Sequence, residues 1–386
     1  MLDCQKHLFD LEDEVVYLNG AYMSPQLKSV EAAGLQGLRM KNRPYQVSIQ
    51  DFFQPVEDLK VAFAQLIHAT EYQRVAVIPS VSYGIANAAR NLPVSKGQKI
   101  LLMQEQFPSN YYIWEKVALE KGARLEIISA PSAPERGEAW TEKILQSIDN
   151  ETAVVAMAHV HWADGSVFDL KRVGEKARKM GAALVIDGTQ SVGALPFDVR
   201  EIQPDALICA GYKWLLGPYS IGLAYYGPAF DNGRPIEENW INRLDSHIFQ
   251  KLVQYQPEYK PFAARYAVGE QSNFIHVPMM LTAIRQILDW GVENVQSYCK
   301  QISEEAISKI VAMGARIDTS HQRAAHLFGV RLGDAFDAEK LQAALHEHKV
   351  YVSFRGDAIR VAPHVYNTKA DFATLVACFE KSSLMR

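Results

Sequence analysis

Between residues 70 and 226 the sequence keeps one rhythm: a short apolar run, a helix-like stretch, then another apolar run. The runs fall at 74–78, 99–103, 124–128, 153–158, 183–186, 206–209 and 222–226. Val, Ile, Leu and Ala fill them with little alternation, so each run needs cover on both faces. Residues 83–91, 110–121, 141–147 and 170–180 lie between them with helical spacing. Few architectures accept this order. It specifies an α/β fold with a mostly parallel central sheet flanked by helices.

The rhythm stops near residue 227. Residues 228–275 are rich in Pro, Asn, Gln and aromatics and read as irregular. One long helix is expected over 278–313, then a strand at 327–332, a helix at 338–348, short strands at 350–353 and 359–361, and a last helix at 369–382. A chain of 386 residues exceeds a single ordinary core. The expected division is 1–277, an N-terminal segment plus a large ligand-binding domain, and 278–386, a smaller α+β domain with its linking helix.

Charge excludes some functions. With 40 basic and 44 acidic residues the net charge is −4, so no basic face for nucleic acid is implied. No apolar run reaches the roughly 18–20 residues of a membrane span, and the N-terminus does not read as a secretory signal. Cys4, Cys209, Cys299 and Cys378 are widely spaced without a CxxC pair. They suit reduced thiols in a cytoplasmic protein rather than a disulfide frame or a zinc site. The histidine pair of HEH (346–348) reads as solvated, and no GxGxxG sits where a nicotinamide-binding turn needs it.

Two segments carry most of the chemistry. In AALVIDGTQSVGALPFDV (182–199) a buried strand ends in Asp187. Ligands of open α/β sheets sit beyond the carboxyl ends of strands, where a carboxylate can hold a cation. It can also simply cap the next helix. In ALICAGYKWLLGPYSIGLAYYG (206–227) a strand runs into Gly211-Tyr212-Lys213. Burial there lowers a lysine's pKa and makes its amine a better nucleophile, although a lysine can also snorkel to the surface. Together the two residues suit a pyridine ring: Lys213 bonded to an aldehyde as a Schiff base, Asp187 paired with the protonated ring nitrogen. Pyridoxal phosphate is the cofactor that needs this pair.

From YLNGAYMSP (17–25) to IRVAPHVYNT (359–368) the chain resembles the class V aminotransferases, a fold-type I family that includes kynureninases, cysteine desulfurases and isopenicillin N epimerase-like proteins. The resemblance implies pyridoxal 5'-phosphate, Lys213 as the catalytic lysine and Asp187 as the pyridinium partner. It implies Gln190 at the ring oxygen and Tyr212 at the phosphate. In IPSVSYGIANAARNL (78–92), Val81 and Ser82 match the phosphate-binding turn, where a helix N-terminus favours an anion. In EQFPSNYY (105–112), Phe107 matches the residue on the ring face, and Asn110 replaces the usual aspartate. Asn273 matches an element that reaches a neighbouring active site. Arg360 matches the arginine that grips the substrate carboxylate as a planar fork, and Asn19 and Tyr22 would line the substrate side. Arg355 also suits a surface salt bridge.

His159 and His161 end the 153–158 run, and His161 is expected to be a packed polar residue. Trp162 stands where desulfurases carry asparagine. Residues 300–360 contain no cysteine, so the thiolate that desulfuration needs is missing there. The expected activity is that of a class V aminotransferase-like enzyme on an amino acid or amine. Kynureninase-like cleavage or epimerase-like racemisation stand as alternatives, and a regulatory or binding subunit as the non-enzyme one. The family also implies a homodimer.

Overall fold

In the computed structural model, which describes residues 2–132, 135–356 and 358–384, the apolar runs form one sheet of seven strands. After a two-residue strand β1 (Val16–Tyr17) come helices α1 (Lys28–Met40) and α2 (Gln54–Leu66). The sheet is then built from β2 (Val75–Ile78), β3 (Lys99–Met103), β4 (Arg124–Ile128), β5 (Thr152–Ala158), β6 (Ala183–Asp187), β7 (Ala206–Ala210) and β8 (Gly222–Tyr226). Their order is β2-β8-β7-β6-β5-β3-β4. Only β8 runs against its neighbours. The connecting helices are α3 (Val81–Asn91), α4 (Tyr112–Lys121), α5 (Arg136–Ser147), α6 (Leu170–Met180) and the short α7 (Val199–Ile202).

The strands lack alternation because both faces are buried. Ile100, Leu102, Val154, Ala156 and Val185 point to the face covered by Ile85 and Ala88 of α3 and Trp114 and Val117 of α4. Leu101, Met103, Val155, Met157 and Ile186 point to the opposite core, which holds Trp140, Ile144, Val173 and Ala177 of α5 and α6. Burying one such aliphatic side chain contributes about 1.5–3 kcal/mol. The sheet is therefore a densely packed platform for the loops at its ends.

The single helix expected over 278–313 is two helices, α8 (His276–Trp290) and α9 (Val292–Ala312). Gly291 breaks it with a φ of 75°, a left-handed conformation that costs glycine no Cβ clash. Beyond it lie β9 (Phe328–Arg331), α10 (Ala338–Glu347), β10 (Val350–Tyr351), β11 (Ser353–Arg355), β12 (Ala358–Val361) and α11 (Lys369–Ser382). Strands β11, β12 and β9 form an antiparallel sheet in that order. Helix α11 starts with a capping box, Thr368 and Asp371 each accepting the other's backbone N–H. The N-terminus returns to this region: β1 pairs in parallel with β10, and Asn19 bridges Ala362.

Candidate active site

At the carboxyl ends of the parallel strands lies a cavity of about 350 Å³. The loop after β2 gives it Ser80, Val81 and Ser82, and the loop after β3 gives Gln106, Phe107 and Ser109. Strand β5 leads to Ala158, Val160 and Trp162, β6 to Asp187, Thr189 and Gln190, and β7 to Tyr212 and Lys213. Five strands therefore aim at one space, the position a parallel sheet offers a ligand.

Asp187 and Lys213 sit on neighbouring strand ends and line this space together; they are 7% and 6% exposed. Burial raises the Asp187 pKa; the backbone N–H of Thr189, donated to its Oδ1 at 3.0 Å, and the charge of Lys213 oppose that rise. Among the described residues no basic group comes within ion-pair distance of Asp187. Burial lowers the Lys213 pKa to about 8; Asp187 opposes this, and Arg360 and Arg355 add to it. The Lys213 Nζ lies 5.4 Å from the Phe107 ring centre and 5.5 Å from that of Tyr212. The turn is tight enough to need Gly211, where a Cβ would stand 2.5 Å from the Ile221 carbonyl oxygen.

Thr189 ties these two strand ends together. Its N–H serves Asp187, and its Oγ1 accepts the Ala210 N–H at 3.1 Å. Gln190 is fixed at both ends, donating to the Ala21 carbonyl at 3.2 Å and accepting from the Trp214 indole at 2.8 Å. At the other end of the cavity Ser80 caps α3 by accepting the Tyr83 N–H, and its hydroxyl lies 3.0 Å from that of Ser82. The helix N-terminus thus meets the cavity through hydroxyls and backbone N–H groups.

Arg360 of β12 is 2% exposed, and its Nη1 donates to the Trp162 carbonyl at 2.8 Å. Burial lowers its pKa to about 9, Arg355 adds to the effect, and Tyr17 opposes it. Trp162 also packs edge-on against Phe107, with ring centres 5.5 Å apart, and donates its indole N–H to the Glu105 carbonyl. Asn19 accepts the Ser353 hydroxyl at 2.7 Å, next to Arg360 in the β11–β12 register. Tyr22 is exposed just beyond it.

Not every expected residue reaches the cavity. Asn110 is buried with its side chain accepting the Trp114 indole N–H, and Ser109 lines the space instead. Asn273 is exposed and caps the start of α8 through the N–H groups of Ile275 and His276. Neither Arg360, Asn19 nor Tyr22 is part of the cavity wall itself. His161 is wholly buried against Trp140 and bonded to Asp164. The wall also includes Ser80, Ser109, Thr189, Tyr219 and Ser220, which the sequence reading passed over. The Asp-x-Thr spacing at 187–189 was the available signal for Thr189.

Comparison with known proteins agrees with this geometry. The family model described as aminotransferase class-V matches residues 39–374. The chain is 28% identical to an uncharacterised aminotransferase, YcbU, of Bacillus subtilis over 80% of this chain and 79% of that one. It is 27% identical to a probable cysteine desulfurase of Pyrococcus abyssi over 57% and 55%. Among solved structures, a cysteine desulfurase of Thermococcus onnurineus aligns with a TM-score of 0.82 at 19% identity, covering 98% of both chains. A lysine-to-alanine mutant of C-DES with glycine covalently linked to its PLP cofactor aligns at 0.85 and 18%, covering 98% and 99%. With the sheet, the strand-end cavity and the family match in agreement, the chain belongs to the class-V aminotransferase family of pyridoxal-phosphate enzymes.

Proposed function

We propose that the enzyme transfers an amino group from an amino acid, with Lys213 as the amine that carries the cofactor. The supporting observation is that Lys213 and Asp187 line one buried cavity from adjacent strands. The donor set fits the group. Asp187 is a buried carboxylate without a cation, which suits a pyridinium nitrogen. Phe107 offers a flat face, and the N-terminus of α3 offers N–H groups to a phosphate. When bound, the cofactor supplies an electron-withdrawing ring conjugated to the substrate nitrogen.

The chain's own residues then divide the work. Asp187 keeps a proton on the ring nitrogen. Val81, Ser82 and Tyr212 would hold the phosphate, and Gln190, with one amide N–H not used by Ala21, would serve the ring oxygen. Lys213 would supply the base near the substrate Cα, since burial lowers its pKa to about 8 and so raises its neutral fraction well above that of an ordinary lysine at the same pH. Arg360 orients the α-carboxylate, with Asn19 and Tyr22 beside it. Asn110 is not part of the cavity wall and accepts the Trp114 indole N–H with its Oδ1.

Desulfuration is disfavoured by the thiols. Cys209, Cys299 and Cys378 are buried, Cys4 lies against the Tyr366 carbonyl, and none lines the cavity. Burial pushes the Cys209 thiol well up, with Asp187 adding to the effect, so it is no nucleophile. Kynureninase-like cleavage and epimerase-like racemisation use the same residues and are separated from transamination by experiment. The purified enzyme is mixed with a panel of amino acids and the cofactor's absorption followed. Conversion to the cofactor's amine form supports transamination. Turnover without that conversion refutes it in favour of cleavage or racemisation.

The same reading assigns residues 1–277 to a large cofactor-binding part and 278–386 to a smaller part. It takes the enzyme to be a cytoplasmic homodimer in which Asn273 approaches the neighbouring site. No helix among the described residues is long and apolar enough to cross a membrane.

A further inference from the structure

The inward-facing arginines of this chain are held in more than one way, Arg265 and Arg323 by backbone carbonyls. Others have carboxylate partners: Arg74 pairs with Glu71 and Asp231, and Arg136 with Asp164 and Glu105. Arg355 and Arg360 have none among the described residues. Arg360 bonds only the Trp162 carbonyl, and its buried Nε has no partner. Among the described residues Arg355 donates to the carbonyl of its neighbour Phe354 alone.

These two cations share one face. In the β11–β12 hairpin Ser353 stands opposite Arg360 and Arg355 opposite Ala358. Side chains two apart on a strand, and those directly opposite on its partner, point the same way. Both arginines then meet Trp162: Arg360 through its carbonyl, and Arg355 with its guanidinium 5.7 Å from the indole ring. Trp162 is itself a wall of the cavity. Both positive charges also act on Lys213, so they belong electrostatically to the site.

Two unpaired guanidiniums on one face repel each other, and burial of Arg360 magnifies the cost. One α-carboxylate neutralises one fork. We infer that the substrate is an amino acid whose side chain carries a second oxyanion, bound by Arg355 across the Trp162 indole while Arg360 takes the α-carboxylate. This rests on the proposed amino-acid site and narrows its substrate class. The shared chemistry is a singly or doubly charged oxyanion: carboxylate, sulfonate or phosphonate.

The test is calorimetric binding of amine-free acids to the cofactor-loaded enzyme. Glutarate carries two carboxylates and valerate one on the same five-carbon chain, while 4-sulfobutyrate and 4-phosphonobutyrate replace the distal carboxylate. A distal anion is expected to tighten binding by about tenfold or more over valerate, and the tightest of the three names the group. Arg355→Gln is expected to reduce the diacids to the affinity of valerate without changing valerate itself. Arg360→Gln is expected to weaken all four. Equal affinity of valerate and the diacids for the wild type would overturn the inference, as would an Arg355→Gln effect shared by valerate. In either case cofactor uptake and the Arg360→Gln loss leave the amino-acid site standing. Wild-type protein that takes up no cofactor would overturn both.

Discussion

Two buried carboxylates stand at the ends of adjacent strands and are treated in opposite ways. Asp164, in the loop after β5, is 2% exposed and ringed by partners: the guanidiniums of Arg136 at 2.9 Å and Arg331 at 2.7 Å, and the His161 imidazole at 3.1 Å. Burial alone would raise its pKa, but these three hold it well below the usual carboxylate range. Asp187, at the end of β6, is almost as buried and has no ion-pair partner among the described residues, so burial raises its pKa. The fully paired site joins α5 to β9. The unpaired one faces a cavity. A buried charge with its partners in place reads as structural, whereas one left without a cation reads as awaiting a ligand that brings one.

The largest effect that would break this contrast is on stability. Asp164→Asn removes the shared anion and leaves two guanidiniums buried. Urea unfolding should show a loss of about 3–5 kcal/mol; a loss below 1 kcal/mol would mean the cluster is not a structural joint. Asp187→Asn should behave in the opposite sense. Stability of the cofactor-free protein should hold or rise, because an unpaired buried charge is removed, while kcat falls by about 10²–10³-fold. Equal damage to stability and activity would erase the distinction.

How much of this was legible in the sequence follows the same divide. Apolar runs without alternation gave away strands covered on both faces, and Asp187 and Lys213 were readable because each ends such a run. The Asp164 cluster was not, because Arg136 and Arg331 reach Asp164 only through tertiary packing. The same holds for the β1–β10 pair, whose strands lie at opposite ends of the chain. Gly291 passed unnoticed because one glycine inside a helical pattern is usually tolerated. At the 3₁₀ turn Pro108–Asn110 it is Ser109 that lines the cavity, while Asn110 is buried and accepts the Trp114 indole N–H, a division that spacing alone does not reveal. Trp162 has no periodic or spacing signal, although it touches both Phe107 and Arg360.

Acidity sharpens the comparison. A depressed native pKa gives stability that is present above the unfolded value and lost as pH falls through the native one. Asp164 therefore contributes at neutral pH and ceases to do so in acid, so wild type and Asp164→Asn should converge in stability below the ordinary carboxylate range. Asp187, with its raised pKa, should behave oppositely, its cost shrinking in acid. Lys213 adds a test at high pH. Its native pKa is near 8, so the unfolded state binds more protons above that value. The cofactor-free wild type should gain stability relative to Lys213→Met as pH rises from 8 toward the ordinary lysine range, and a flat difference would contradict the assigned burial. The smallest effect belongs to Thr189→Val, which leaves the Ala210 N–H without its acceptor and should cost about 1–2 kcal/mol.

The most direct measurement is borohydride reduction of the cofactor-loaded protein, followed by digestion and mass spectrometry. The account predicts a single modified peptide containing Lys213, with the label missing from Lys213→Ala and retained by Asp187→Asn. A label on any other lysine, or one that survives in Lys213→Ala, would contradict it.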